Sequence, residues 1–224
     1  ITLTLTSSGG SCGTTTATKA ITVNTNPSVS GVNDATVSYG GTISFNATVT
    51  NCSGSTTNTL IDQDFSSVDA GKISTTSSDN PYQIDNNVNC NDAETWNIRT
   101  SSSESSCSGC SSNRADIDFG DSSCDQDATA VLGSFVPSAS TITIKFNYGF
   151  NWYESGDKFK VTLYNETTSS VTHTLIDPTA DCNNCSYSGS KSVTAGDSYT
   201  LRFQYVGDYG YGASFDNVLV TETV

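Results

Sequence analysis

Eight cysteines carry the most distinctive chemistry in this chain of 224 residues. Two pairs have C-x-x-C spacing, Cys107–Cys110 and Cys182–Cys185, and four such thiolates can hold zinc. No histidine ligand accompanies them, and a thioredoxin-like redox pair would need an α/β setting. Both pairs lie in Ser-, Asn- and Gly-rich segments, so disulfides formed in an oxidising compartment are the favoured interpretation. The pairs we expect are Cys12–Cys52, Cys90–Cys124, Cys107–Cys110 and Cys182–Cys185.

Acidic residues are the second group with chemical potential. The chain has 23 Asp and Glu against nine Lys and Arg, a net charge of −14, and 18 of the acids are Asp. Proteins that bind nucleic acid neutralise phosphates with Lys and Arg, so we exclude nucleic acid as a partner. Anionic membrane surfaces are disfavoured for the same reason, and no apolar run is long enough for direct membrane insertion. Such a surface either forms a solvated acidic coat or recruits Ca²⁺.

One acidic segment has alternating carboxylates, Asp116-Ile-Asp-Phe-Gly-Asp121, followed by Asp125 and Asp127. It resembles a calcium loop, but it lacks the EF-hand spacing and the closing Glu. The pattern favours a strand with Ile117 and Phe119 facing inward and the carboxylates in water.

Aromatic side chains beside Asp, Asn and Gly form the third group. Flat rings suit the faces of sugars, and neighbouring carboxylates and amides suit their hydroxyls, so these residues predict carbohydrate binding. The alternative is that the rings pack over the ends of a β-sandwich, where glycines allow close approach. The residues lie in two expected loops and are Trp152, Tyr153, Tyr209 and Tyr211.

Catalysis is not expected. His173 is the single histidine that could serve as the base of a Ser-His-Asp triad, and it lies in a strand-like run. The five Glu residues are scattered along the chain, which argues against a glycosidase pair. We therefore predict a protein that is not an enzyme.

The elements that position these groups are predicted to be strands. The chain has 36 Ser, 33 Thr, eight Leu and no Met, and this composition disfavours helices and suits strands. Apolar residues alternate with polar ones in several runs separated by Gly-Asp turns, as in an all-β sandwich. The strongest runs are Thr141–Phe150, Phe159–Leu163, Tyr199–Tyr205 and Phe215–Thr221.

The chain divides into two parts in this interpretation. Residues 1–58 form a partial β region with an expected first hairpin, a linker at Asn24–Asp34 and a second hairpin across Ala35–Thr50. Residues 59–224 form the sandwich. The two strands of the first hairpin cannot bury a core alone, so either more strands follow or the domain is truncated.

Several segments resemble known extracellular modules. Ala195–Phe203, Gly207–Gly212 and Phe215–Val220 are similar to the closing strands of the jelly rolls found in MAM-like, galactose-binding-like and cleaved-adhesin domains, and Asp62-Gln-Asp-Phe65 is similar to their opening. Ile1–Thr6 with Ala20–Val23 resembles the end of an Ig-like or PKD-like repeat. The combination resembles large surface adhesins of the Bacteroidota that are exported by type IX secretion.

This resemblance implies a structural calcium ion. In such jelly rolls the first and last core strands are neighbours, which implies that Asp62, Asp64 and Asp216 lie close together. A hard dication taking 6–8 oxygens would neutralise the carboxylates and join the two strands. The alternative is that Asp62 and Asp64 cap a turn and Asp216 accepts backbone hydrogen bonds.

The expected function is a non-catalytic module of a large cell-surface adhesin used in attachment or gliding motility. Its partners would be surface glycans or neighbouring adhesin modules. The alternatives are a carbohydrate-binding module of a secreted protein and a structural subunit of an extracellular filament or surface layer.

Overall fold

The computed structural model describes residues 2–7, 15–20, 28–30, 48–50, 55–91, 94–100, 107, 110, 113–118, 123–152, 156–207 and 211–224. The chain separates into two compact units, Ile1–Thr56 and Thr57–Val224. Strands dominate, and the described residues contain no α-helix. The prediction of an all-β fold is confirmed.

The first unit contains two antiparallel strand pairs. β1 (Thr2–Ser7) pairs with β2 (Thr15–Ala20), close to the hairpin expected there. β3 (Ser28–Ser30) pairs with β4 (Thr48–Thr50), although Ser28–Ser30 falls in the segment predicted to be a linker. Most of the expected hairpin across Ala35–Thr50 lies outside the described residues. The Ig-like or PKD-like character of this unit stays a prediction.

The second unit is a sandwich of two antiparallel sheets in the manner of a jelly roll. One sheet has the order β13–β12–β15–β10–β7, and the other has the order β14–β11–β16–β9–β8–β6 with β5 paired to β16. The strands are β5 (Thr57–Gln63), β6 (Gly71–Lys72), β7 (Tyr82–Asp85), β8 (Asn97–Arg99), β9 (Arg114–Ile117), β10 (Gln126–Phe135), β11 (Thr141–Phe150), β12 (Lys158–Asn165), β13 (Ser170–Ile176), β14 (Cys182–Ser192), β15 (Tyr199–Gly207) and β16 (Ala213–Thr223).

The last strand, β16, holds the seven-stranded sheet together. Its first residues pair with β9 and its later residues pair with β5, while β11 runs along its other side. The β5 pairing runs from Val218 opposite Gln63 to Thr223 opposite Thr57. The strands that open and close this unit are therefore neighbours, as the resemblance to jelly rolls implies.

The core consists of the side chains that alternate inward from the two sheets. Phe203 of β15 and Phe215 of β16 stack across the interface with ring centroids 3.7 Å apart and planes 8° from parallel. Trp96 packs edge-on against Phe215 at 5.2 Å, and its indole N–H donates to the Ala128 carbonyl at 3.0 Å. The two sheets are thus joined through aromatic contacts at the centre, with the indole donor satisfied.

Several strands were not expected from the sequence, among them β6, β7, β10 and β14. β10 begins in a stretch with sparse hydrophobic residues, and β14 includes the Cys182–Cys185 pair, which lies in a segment rich in Ser, Asn and Gly. β14 has an exposed face rich in Ser and Asn, so its sequence lacks the strong alternation of β11. It is held through its backbone pairing with β11 and through Tyr187, whose ring stacks on Phe146 at 5.1 Å.

Candidate functional site

Three strand connections meet at one end of the sandwich, here called the loop end. Phe150 at the end of β11 is paired with Cys182 on one side and with Ala213 on the other, so the β11–β12, β13–β14 and β15–β16 connections start or finish there. Two hydrogen bonds join these connections. The Trp152 amide donates to Asp181 Oδ1 at 2.7 Å, and the Asn151 amide donates to the Gly212 carbonyl at 3.2 Å.

Trp152 is exposed at the loop end, as the carbohydrate-binding interpretation requires. Its side chain is 38% accessible although Trp is usually well buried. It lines a cavity of about 440 Å³, here called the tryptophan cavity. The other residues of this cavity are Asp157, Lys158, Asp177, Pro178 and Thr179. An indole face beside carboxylates, an ammonium group and a hydroxyl offers both stacking and hydrogen bonding to a polyhydroxylated ligand.

Tyr211 is also exposed at the loop end, with 38% accessibility. The backbone beside it is fixed. Gly212 has φ +88°, and a Cβ there would collide with the Ile117 carbonyl oxygen, so only glycine fits. The Gly212 amide donates to the buried Tyr205 hydroxyl at 3.1 Å. Burial and the nearby Asp157 carboxylate raise the pKa of Tyr205, which keeps this hydroxyl neutral.

The other two aromatic residues predicted for this site, Tyr153 and Tyr209, lie outside the described residues. Sequence reasoning missed the contribution of Asp157, Asp177 and Pro178. Gly156-Asp157 was recognised only as a turn signal, and nothing in the sequence indicates that it lies beside Pro178.

Asp157 is a buried part of the tryptophan cavity wall, only 4% exposed. The end of β15 passes close to it. A Cβ at Gly207 would lie 3.1 Å from Asp157 Oδ1 and 2.9 Å from the Tyr205 hydroxyl, so glycine permits this approach. Asp177, in contrast, is half exposed and its carboxylate lies 3.7 Å from Lys160 Nζ.

The three residues assigned to calcium differ in their surroundings. Asp216 is fully buried on β16, whereas Asp62 and Asp64 are exposed. Asp64 accepts hydrogen bonds from the Ser66 amide at 3.0 Å and the Ser66 hydroxyl at 2.7 Å, and these bonds lower its pKa. Among the described residues, three side chains of types that can bind a metal lie within 4.8 Å of one another only at Cys90, Glu94 and Cys124. The two cysteines of this group form a disulfide with each other. The structure therefore does not gather the three predicted carboxylates into one such group.

Asp116 and Asp118, the described carboxylates of the segment Asp116–Asp121, form ion pairs. Asp116 is fully buried, with Arg114 Nε 3.3 Å and Arg99 Nε 3.7 Å from its carboxylate oxygens. Arg99 also contacts Asp118 at 2.7 Å. Ile117 faces the core as expected, but the prediction of solvent-exposed carboxylates is wrong for Asp116. Phe119 lies outside the described residues.

Three of the four expected disulfides are present, namely Cys90–Cys124, Cys107–Cys110 and Cys182–Cys185. Cys12 and Cys52 lie outside the described residues. The sulfurs of both C-x-x-C pairs are bonded to each other and are not thiolates offered to zinc. Cys182–Cys185 lies next to the loop end, because Asp181 precedes it directly.

His173 lies on β13, and its Nε2 is 2.8 Å from the Ser192 carbonyl oxygen of β14. This contact joins the adjacent edges of the two sheets. The histidine thus has a structural partner in the described part of the chain.

No protein-family profile matches the sequence. No curated protein matches it either. Among the described residues, no helix is long and apolar enough to cross a membrane.

The structure is similar to solved jelly-roll domains at low identity. The K3 cleaved adhesin domain of Lys-gingipain from Porphyromonas gingivalis has 12% identity and a TM-score of 0.45, over 74% of this chain and 99% of that chain. The K1 cleaved adhesin domain of the same protein has 11% identity and a TM-score of 0.43, over 74% and 97%. The CBM22-1 xylan-binding domain from Paenibacillus barcinonensis has 8% identity and a TM-score of 0.41, over 73% and 93%.

Proposed function

We propose that the chain is a non-catalytic, extracellular attachment module that binds glycans at its loop end. The observation that carries this proposal is the exposed Trp152 beside the tryptophan cavity. An exposed indole is costly to leave in water, and the hydrogen bond from the Trp152 amide to Asp181 anchors the backbone that carries it. A preorganised aromatic surface with acceptors around it favours ligands that present both C–H faces and hydroxyls.

The extracellular location is supported by the three disulfides, because such bonds persist in oxidising compartments. The finer assignment follows the sequence resemblance: a module of a large cell-surface adhesin that serves attachment or gliding and is exported by type IX secretion. A carbohydrate-binding module of a secreted protein and a structural subunit of an extracellular filament or surface layer are the alternatives.

A structural calcium ion near Asp216 is part of this proposal. A buried carboxylate is stable when it is paired, hydrogen-bonded or bound to a metal. Because the Asp62 and Asp64 carboxylates do not join Asp216 in one tight group, an ion there would take further oxygens from backbone carbonyls and side-chain amides.

Substitution of the exposed indole tests the glycan proposal. Wild-type protein is screened on an array of neutral, amino and acidic glycans, and the best binders are measured by calorimetry. Trp152→Ala should weaken binding at least thirtyfold, the effect of losing roughly 2 kcal/mol at an aromatic anchor. Val136→Ala is the matched control, because Val136 is 56% exposed just after β10, at the opposite end of its sheet.

Two further readouts separate the alternatives. Bound glycans should be recovered uncleaved, and released fragments would contradict a non-catalytic module. Sedimentation should show no assembly without ligand, since self-assembly would favour the filament subunit. If wild-type protein binds no glycan, or if Trp152→Ala binds as tightly as wild type, the glycan proposal is wrong.

A further inference from the structure

A second cavity lies beside the tryptophan cavity at the loop end. It has a volume of about 330 Å³ and is here called the valine cavity. The residues that line it include Asn86, Val88, Asp125, Asp127, Gly156 and Val206.

The two cavities share a wall. Gly156 lines the valine cavity, and the next two residues, Asp157 and Lys158, line the tryptophan cavity. Lys158 is paired directly with Val206 across β12 and β15. The cavities are therefore neighbours on one molecular surface and are separated by a single turn of backbone.

The valine cavity extends the tryptophan cavity along the end of the five-stranded sheet. Val206 is paired with Asp127 of β10, and the Asn86 amide donates to the Asp127 carbonyl at 2.9 Å. A row therefore runs from Asn86 through Asp127 and Val206 to Lys158, with Asp177 following β13 beyond it. Four strand spacings of ~4.8 Å give a length of ~19 Å, which is longer than one monosaccharide.

The lining of the valine cavity suits a further sugar ring. Val88 is 51% exposed and Val206 lies beside it, so apolar C–H surface is available. Asp125 and Asp127 supply acceptors for hydroxyl groups, and Asp127 Oδ1 is held by a hydrogen bond from Gln204 Nε2 at 2.9 Å. Apolar contact with a few fixed polar groups is the usual composition of a small-molecule subsite.

The charges along this row predict whether neutral or anionic sugars bind better. The carboxylates are Asp125, Asp127, Asp157 and Asp177, and the ammonium groups are Lys158 and Lys160. Carboxylates are in excess, and the whole chain carries −14. Uronic-acid and sulfated glycans would meet like charge at close range, so neutral chains are favoured.

We propose that the tryptophan cavity and the valine cavity are two subsites of one groove that binds a neutral oligosaccharide chain. This inference rests on the proposed function and deepens it, because it predicts that the binding affinity depends on the length of the oligosaccharide chain. A ligand that fills one cavity would gain additional affinity by extending over Gly156 into the other.

Titration with oligosaccharide ladders tests the groove. Cello-, xylo- and manno-oligosaccharides of one to six units are measured against wild-type protein by calorimetry. For the ladder that binds, the affinity should rise at least tenfold between the shortest bound member and a chain of about four units, because a second subsite worth ~1.4 kcal/mol gives that factor. Glucuronate-containing oligomers should bind more weakly than neutral oligomers of equal length.

A charge placed in the valine cavity should remove only the gain from chain length. Val88→Glu should bind the long oligomers no better than it binds the short ones. Val171→Glu is the matched control: Val171 is 54% exposed near the start of β13, away from the loop end, and this variant should keep the gain. Thermal melting of both variants checks that they are folded.

The failures are distinguishable. If long and short oligomers bind equally to wild type while Trp152→Ala abolishes binding, the groove is wrong and the glycan site stands. The groove is also wrong if Val88→Glu retains the full gain from chain length. If no ladder and no array glycan binds, both proposals are overturned.

Discussion

Glu222, near the end of β16, connects three parts of the second unit through the hydrogen bonds of its carboxylate. Its oxygens accept hydrogen bonds from the Ser138 and Ala139 amides at 2.7 and 2.8 Å, and from the Ser138 hydroxyl at 2.7 Å. Asn58 of β5 donates a further bond at 3.3 Å. These donors, with the Ala139 amide the strongest, lower the pKa of Glu222 from 4.5 to about 2. The carboxylate thereby joins β5, β16 and the β10–β11 turn.

This lowered pKa predicts a defined acid sensitivity. Because the folded pKa lies below the unfolded one, the stabilisation is complete above about pH 4.5 and is lost as the pH falls toward about 2. Glu222→Gln should reduce the free energy of unfolding at pH 7, and the difference from wild type should shrink across that window. Urea unfolding at several pH values measures it. Asp69→Asn, in an exposed turn, is the control and should show no comparable loss.

Single residues differ in how well the sequence predicts their role. The exposure of Trp152 and Tyr211 could be predicted, because glycines and polar residues around them indicate loops. The burial of Asp116 could not, since alternation along β9 places it on the face opposite the core. Its environment depends on Arg99 of β8, and a pairing between β8 and β9 has no signature in either strand.

At the scale of elements, the stacked rings of Phe203 and Phe215 are the closest aromatic contact between the two sheets among the described residues. Phe65 and Trp96 also pack edge-on against Phe215, at 5.7 and 5.2 Å. Phe215 is fully buried. β16 therefore contributes both the central pairing of its own sheet and the main aromatic contact with the other sheet.

Truncation of Phe215 should destabilise the sandwich strongly. Phe215→Ala leaves a cavity between the sheets and should cost about 3–5 kcal/mol of unfolding free energy. Trp152→Ala, which removes an exposed ring, should change the stability by less than about 1 kcal/mol. Denaturant unfolding of both variants measures this. Equal losses would contradict the assignment of Phe215 to the core and Trp152 to the surface.

The strength of the alternation decides which strands could be predicted. β11 coincides with the run Thr141–Phe150, because Ile142, Ile144 and Phe146 face the core and polar residues face water. β14 is an edge strand whose own residues are mostly Ser and Asn. Its pairing is made through the backbone, so the side chains show little of the alternation that predicts a strand. β10 is buried on both faces over much of its length, and small residues such as Ala128 and Ala130 obscure its pattern.

At the scale of the whole molecule, the proposed calcium ion would stabilise the second unit by binding the buried Asp216 carboxylate of its closing strand. Removing a ligand present at a hundred times its dissociation constant costs about 2.7 kcal/mol, which corresponds to a melting temperature lower by about 5–10 °C. EDTA should therefore lower the melting temperature of wild-type protein, and excess Ca²⁺ should restore it better than Mg²⁺ does. Asp216→Asn should be insensitive to EDTA. Unchanged melting of wild type in EDTA would overturn the calcium proposal.

The pairing of Thr57 with Thr223 has a consequence for how such a module is mounted. The polypeptide enters and leaves the sandwich at adjacent points, at the pole opposite Trp152. A longer chain that carries this unit would attach to it on one side only, and the loop end would face away from the attachment point. Tension along that chain would separate β5 from β16 one residue pair at a time. The force would not act directly on the proposed glycan groove.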